Sequence, residues 1–403
     1  MGGHAERSHS TLSPSNAYQW MVCTPSVILG SQFPDTSSKA AEEGTLAHEL
    51  AELKLRNYFY TTEFGKRKMN AEIKKLKGNE IWADEMMGYT DDYLDYVKSV
   101  ALNFAVSPHV DIERRVDLHT YIPNLPDEAP ASGSADCILV GGGVIHVIDF
   151  KYGKSPDGRV DADHNPQMML YALGAYEAYR ILYEIHTVRM SIVQPRLPDG
   201  ISEWECSLED LLKFGEVVKD RAALAIQGVG DFVPGPKTCR YCRARGRCRA
   251  RAEKNVELAF KVKDDPALLT FEEMGKYLKD GQDVAKWLKD IEATALEACL
   301  SGKEIPGWKA VAGRATRDWT DMDAAFARLE EAGIRTEVLW ERKPLTLAQV
   351  EKIIGKKEFA ANVGEFVTKK NGKPALVEDS DKRPAITNKI SAAEAFKEET
   401  DHE

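Results

Sequence analysis

The chain has 403 residues, 43% of them hydrophobic, and a formal net charge of −10. That length allows two domains, or one large domain with an appendage, and the composition allows a full core. No stretch reaches the ~18–20 apolar residues that span a bilayer, and the polar start MGGHAERSHSTLSPS lacks the apolar run of a secretory signal, so a cytoplasmic protein with no membrane partner is expected.

Residues 1–38 read as loop-rich, with Ser-Pro-Ser at 13–15 starting a short helix that leads to Cys23. Between 40 and 60 the apolar residues recur every three or four positions, which predicts a helix that contains His48. A second helix, acidic and aromatic, is predicted over 80–103. The character changes at about Val110. VDIERRVDLHTYI, SADCILVGGG and VIHVIDFKYG are rich in β-branched residues and broken by Gly and Pro, and read as consecutive strands. Residues 166–183 read as an amphipathic helix with Pro in its first turn. HTVRMSIVQPRL is a further strand and 207–226 a further helix. This order predicts an α/β core with a mixed sheet.

Helices follow at 268–302 and near 320–332, 346–355 and 357–367, with basic loops (Lys356, Lys357, Lys369, Lys370, Lys373, Lys382, Arg383) and a frayed end. The expected division is 1–260 for the core and 265–403 for a mostly helical C-terminal region.

Asp136 and Asp149 offer carboxylates from two successive strands joined by the turn Gly141–Gly143. Hard oxygen ligands of this kind suit Mg²⁺ or Mn²⁺ at a phosphodiester-hydrolysing site. Lys151, two residues beyond Asp149, projects from the same strand face and can offset charge on a phosphate. Small residues, Gly133-Ser134-Ala135, precede Asp136 and allow close backbone approach. Gln167 and Tyr171 fall four apart on one helix face. His48, after Glu43-Gly44-Thr45, reads either as a structural histidine or as the nitrogen ligand that completes a metal site. Glu113, flanked by Arg114 and Arg115, reads as a salt-bridge residue.

Seven cysteines in a reducing compartment argue against a disulfide framework. Cys137, Cys206 and Cys299 stand singly and read as small core hydrophobes. Cys239, Cys242 and Cys248 follow C-x2-C-x5-C, with Cys23 as a remote fourth thiol. Such a set fits tetrahedral Zn²⁺ or a four-iron cluster. Around the three lies Lys237–Arg251, with seven Lys/Arg and no acid, a basic patch suited to phosphates despite the acidic total.

The series GTxAH, GSAD, DFK and QxxxY resembles the RecB-type branch of the PD-(D/E)XK nuclease superfamily. Cysteines outside both ends of the core resemble AddB-type and CRISPR-associated iron–sulfur exonucleases. The phrases LSPSxAxxWxxC, EEGTxAHELAE, DFKYGKS, NPQMMLYALGAY, QPR, PGWK and DKRPAI look like a phage and prophage family of such nucleases over nearly the whole chain. The resemblance implies a restriction-endonuclease-like core in which His48, Asp136 and Asp149 bind Mg²⁺ or Mn²⁺. It implies a catalytic Lys151, with Gln167 and Tyr171 supporting the site or guiding DNA. For Cys23, Cys239, Cys242 and Cys248 it favours a structural 4Fe-4S cluster over zinc. Asp149 departs from the Glu of many relatives, although the shorter side chain still ligates metal. The expected activity is a DNA exonuclease of phage recombination or replication in the bacterial cytoplasm, with DNA as partner and a single-strand annealing or binding protein as a further one. An endonuclease or nickase using the same site, and a non-catalytic DNA-binding module, are the alternatives.

Overall fold

The structure, a computed structural model, describes residues 11–34, 39–122, 131–155, 158–260, 270–311, 322–332, 335, 339, 350–351, 355–363 and 366–367. The chain divides into two units, Met1–Val311 and Ala312–Glu403. By packing, the first unit runs past the boundary expected at 260–265, and charge pairing across that point accounts for it. Arg251, 1% exposed on α8 (Arg249–Phe260), is paired with Asp283 at 3.3 Å and Asp290 at 2.6 Å on α9 (Phe271–Leu300). The second unit carries α10 (Met322–Glu331) and α11 (Lys356–Val363). Lys369, Lys370, Lys373, Lys382, Arg383, most of the helix expected over 346–355 and the closing segment lie outside the described residues.

Five strands form one mixed sheet in the order β1 (His109–Asp117), β2 (Ser132–Gly141), β3 (Val144–Phe150), β4 (Thr187–Val193), β5 (Ile201–Ser207). β3 and β4 run parallel and the other neighbours antiparallel. The parallel step needs a crossover, supplied by α6 (Pro166–Tyr179). Pro166 begins that helix, and the Asn165 side chain accepts from the N–H groups of Gln167 and Met168. The expected amphipathic helix over 166–183 is corrected in two ways. It ends at Tyr179, and ten of its fourteen residues are buried, because it runs between the sheet and further helices. β5 was not expected: its residues alternate between exposed and half-buried, so ISEWECS lacks an apolar run. Arg189 on β4 pairs with Glu205 on this edge strand at 2.6 Å.

Each face of the sheet has its own core. On one, Ile138, Val140, Ile145 and Val147 meet α6, α1 (Ala17–Val22) and α7 (Leu208–Gln227). On the other, Cys137, Leu139, Ile148 and Phe150 meet α3 (Lys39–Phe59) and α5 (Glu85–Leu102). Along β3 this follows the two-residue period of a strand. Lys54 of α3, 4% exposed, ties the two helices by donating to Met87 O (2.6 Å) and pairing with Asp91 (2.5 Å). Two short helices were also unforeseen, α2 (Ser26–Ser31) and α4 (Lys66–Leu76). The amino-terminal segment docks on α7 and on the turn beyond its C-terminus. Arg221 donates to Met21 O and Val22 O, and Thr24 Oγ1 donates to Val229 O at 2.6 Å.

His146 on β3 is 6% exposed, with Nε2 at 2.6 Å from Ser191 Oγ. Ser191 in turn meets the Tyr96 hydroxyl at 2.7 Å. Burial, reinforced by the Arg189 charge, lowers this histidine to about 4, against about 6.5 for an unfolded chain. Between those values the unfolded chain binds more protons than the folded one, so stability falls as pH drops from about 6.5 towards 4. We expect His146→Gln to lose less stability than the parent between pH 7.5 and 4.5, by about 2.5 kcal/mol in urea titrations. Equal losses would show that this histidine carries none of the acid sensitivity.

Candidate functional site

Where β1 and β2 pair, the register is unbroken except at one rung. Ile112 faces Cys137 and Arg114 faces Ala135, while Glu113 and Asp136, which fall opposite each other, are not paired. Glu113 has φ 52, a left-handed backbone that costs a non-glycine residue about 1–2 kcal/mol. Like charges opposite one another on antiparallel strands also repel. His48 comes from α3 on the neighbouring layer, its ring edge-on to Phe150 at 5.2 Å. Ligand atoms of His48, Glu113 and Asp136 all lie within 4.8 Å of one another, as a shared cation requires. Glu113, expected to be a salt-bridge residue, also has a place in this cluster.

His48 Nδ1 stands 3.3 Å from Asp136 Oδ1, and Phe150 N donates to Asp136 Oδ2 at 2.7 Å. Burial alone pulls His48 down, but the Asp136 charge and hydrogen bond outweigh it and the pKa rises. Burial pushes Asp136 up, but His48, Lys151 and the Phe150 N–H together hold it below the ordinary carboxylate range. Asp149 behaves oppositely. It is 2% exposed, and burial together with the Asp136 charge raises it despite Lys151.

Lys151 Nζ lies 2.8 Å from Asp149 Oδ2, so the buried carboxylate is met by an ammonium. Burial works against the Lys151 charge, but Asp149 and Asp136 more than offset it and the pKa is raised, so the ammonium persists at neutral pH. Gln167 Nε2 reaches Asp149 Oδ1 at 3.5 Å and donates to the Tyr171 hydroxyl at 3.1 Å. Burial and the two aspartates keep the Tyr171 hydroxyl protonated well above neutrality. Gly133 makes room for that ring: a Cβ there would stand 2.6 Å from Pro14 Cγ and 2.8 Å from Tyr171 Cε1. All six residues read from the sequence as the hydrolytic site are thus brought together.

The thiols form a second centre. Cys23, Cys239, Cys242 and Cys248 line one cavity, although more than two hundred residues separate the first from the rest. Val233 N donates to Cys23 Sγ and Gly235 N to Cys239 Sγ, each at 3.4 Å. Burial, opposed by the Ala244 N–H and reinforced by the neighbouring thiols, pushes Cys242 up to about 11. Burial likewise raises Cys239, and a four-thiol donor set is of the type that suits a soft metal or an iron–sulfur cluster. Cys137, expected to be a core thiol, is fully buried in the sheet, and Cys206 and Cys299 are half-buried.

Two site-supporting residues had no role assigned from sequence, although the phrase QPR contains both. Arg196 pairs with Glu43 of α3 (3.0 Å) and Glu85 of α5 (2.7 Å), with its guanidinium 4.3 Å from the Tyr152 ring centre. Gln194 accepts from Val160 N and donates to Gly158 O, pinning the segment that follows Lys151. The basic reading of Lys237–Arg251 is corrected in part. Arg245 and Arg251 are neutralised by Asp290 and Asp283 rather than free for phosphates.

Comparison with known proteins adds little about chemistry. A solved structure titled "Crystal structure of SSO0001" is similar over 50% of this chain and 85% of that one, at 18% identity and a TM-score of 0.26, too low to carry an argument. A family profile described as "Protein of unknown function (DUF2800)" matches residues 9–384, and the chain belongs to that family.

Proposed function

We propose that this protein is a divalent-metal-dependent DNA exonuclease with a RecB-like PD-(D/E)XK core, acting in phage recombination or replication. The observation that most supports this reading is the convergence of His48, Glu113 and Asp136 within 4.8 Å, with Asp149 and Lys151 beside them on the next strand. His48, Asp136 and Asp149, with Glu113 as an addition, would hold Mg²⁺ or Mn²⁺. Bound there, the cation would supply Lewis-acid polarisation of the phosphodiester.

The chain's own groups have separable tasks. Lys151 stays cationic and offsets charge developing on the phosphate. Gln167 fixes the Asp149 carboxylate and the Tyr171 hydroxyl at once. That hydroxyl accepts from Gln167 and keeps its own proton to donate to a phosphate or sugar oxygen. The Phe150 N–H orients the Asp136 carboxylate. The thiols of Cys23, Cys239, Cys242 and Cys248 would hold a structural 4Fe-4S cluster, with Zn²⁺ as the alternative occupant.

Purified protein is expected to degrade end-labelled linear DNA only with Mg²⁺ or Mn²⁺. Asp149→Ala or Lys151→Ala should slow this at least ~10³-fold. Closed circular DNA in the same assay separates exonuclease from endonuclease. Undiminished cleavage by Asp149→Ala would sink the assignment. Glu113→Gln should weaken Mn²⁺ binding, followed by electron paramagnetic resonance, at least about tenfold. Equal affinity would return Glu113 to a structural role. Protein purified anaerobically should be brown and carry about four irons per chain, and Cys23→Ala should bleach it as fully as Cys248→Ala. A colourless protein with one zinc would replace the cluster with the alternative metal.

A further inference from the structure

The arginines around the thiols are not used alike. Arg251 and Arg245 point into α9, where Asp283 and Asp290 take their charge. The fit of the cysteine loop against that helix is close: a Cβ at Gly246 would stand 2.1 Å from Thr294 Oγ1 and 2.7 Å from Asp290 O. Arg247 and Arg249, by contrast, are exposed. They border a cleft of about 470 Å³ walled by α8 and α9, with Val256, Trp287 and Ile291 lining it and Glu253 on the α8 wall. That volume lies within the ~300–1,000 Å³ of small-molecule sites.

An indole, two aliphatic walls and two guanidiniums at the rim match a nucleobase with its phosphate. The base stacks on the aromatic ring, and the planar guanidiniums meet phosphate oxygens in pairs. Glu253 disfavours a phosphate inside the cleft, which leaves the interior to the base. At the other end of the same loop, Tyr241 is 66% exposed. Arg240 Nη2 comes within 3.3 Å of where a Gly158 Cβ would stand, beside the segment that follows Lys151. The loop therefore leads from the segment that follows Lys151 to the cleft. Tyr241 and Cys248 stand seven positions apart, a span of at most ~25 Å, or about seven stacked nucleotides at ~3.4 Å each.

We propose that the cleft between α8 and α9 is a stacking site for an unpaired nucleotide of the DNA strand whose phosphodiester lies at Lys151. The inference rests on the nuclease reading and extends it to how the strand is held.

The test uses the full chain carrying Lys151→Ala, so that DNA is bound without being cut. Fluorescence anisotropy compares a blunt duplex with the same duplex bearing a ten-nucleotide thymidine extension. The extension should tighten binding, and Trp287→Ala should remove about tenfold of that gain while leaving the blunt duplex unaffected. Trp287→Phe should keep most of the gain. Arg249→Ala should weaken binding of the extended duplex and lower its salt slope by about one. If Trp287→Ala and Arg249→Ala both bind the extended duplex like the parent, the stacking site is refuted and the nuclease reading stands. A uniform loss on both duplexes with Trp287→Ala, together with an unchanged salt slope in Arg249→Ala, reduces the cleft to a packing role. A parent that binds neither DNA overturns both readings.

Discussion

Three carboxylates gathered at one end of a β-sheet set the terms for the surrounding fold. Glu113 and Asp136 fall opposite each other on antiparallel strands, and Asp149 is buried on the next. Left alone, such a group opposes folding through repulsion and desolvation. The chain answers with His48 from the helical layer on one face and with Lys151 from the strand end. From the other face α6 brings Gln167 and Tyr171. The site therefore sits where both layers meet the sheet, and neither layer alone completes it. The compensation is incomplete, because burial and the Asp136 charge keep Asp149 raised despite Lys151.

The thiol centre solves a different problem, that of joining distant parts of one chain. Cys23 precedes the whole sheet and Cys239 comes after all of it. Even without a bound group, the ends are held by Arg221 on the α1 carbonyls and Thr24 on Val229. Protein contacts thus bring the four sulfurs to one cavity, and the raised pKa values of Cys239 and Cys242 keep those two neutral there.

Much of this was legible from residue patterns, and the exceptions share a physical cause. β1 to β3 announce themselves through β-branched runs, and α6 through Pro166 and its apolar content. Asp136, Asp149 and Lys151 follow from strand periodicity, since each stands on or just past a recognisable strand. Elements defined by little burial were missed. Only Ile73 is buried on α4, and β5 is at most half-buried along its length. The place of Glu113 beside His48 and Asp136 was not legible because it depends on its register opposite Asp136 and on a left-handed backbone, neither of which its Arg114–Arg115 neighbours betray. Arg251 looked like a phosphate contact because composition records charge but not the carboxylates that meet it. That α8 and α9 are tied together was hidden for the same reason, since those carboxylates lie thirty or more residues downstream.

The two centres are not independent in construction. The segment from Leu12 to Cys23 serves both: Pro14 abuts Gly133 and Tyr171 at the carboxylate site, and nine residues later Cys23 lines the thiol cavity. Between them Trp20, 1% exposed, donates from Nε1 to Ser13 O at 3.0 Å and fixes the turn that makes this reach possible. Releasing Cys23 from its cavity would loosen the same short segment that backs Tyr171, and with it the Gln167 hydrogen bond to that hydroxyl. Beyond the sheet, the cysteine loop brings Arg240 to Gly158, in the segment that follows Lys151, while α9 holds the loop through Arg245 and Arg251. The carboxylate site is therefore flanked by segments from before and after the sheet, which explains why so small a cluster is served by contacts so far apart in sequence.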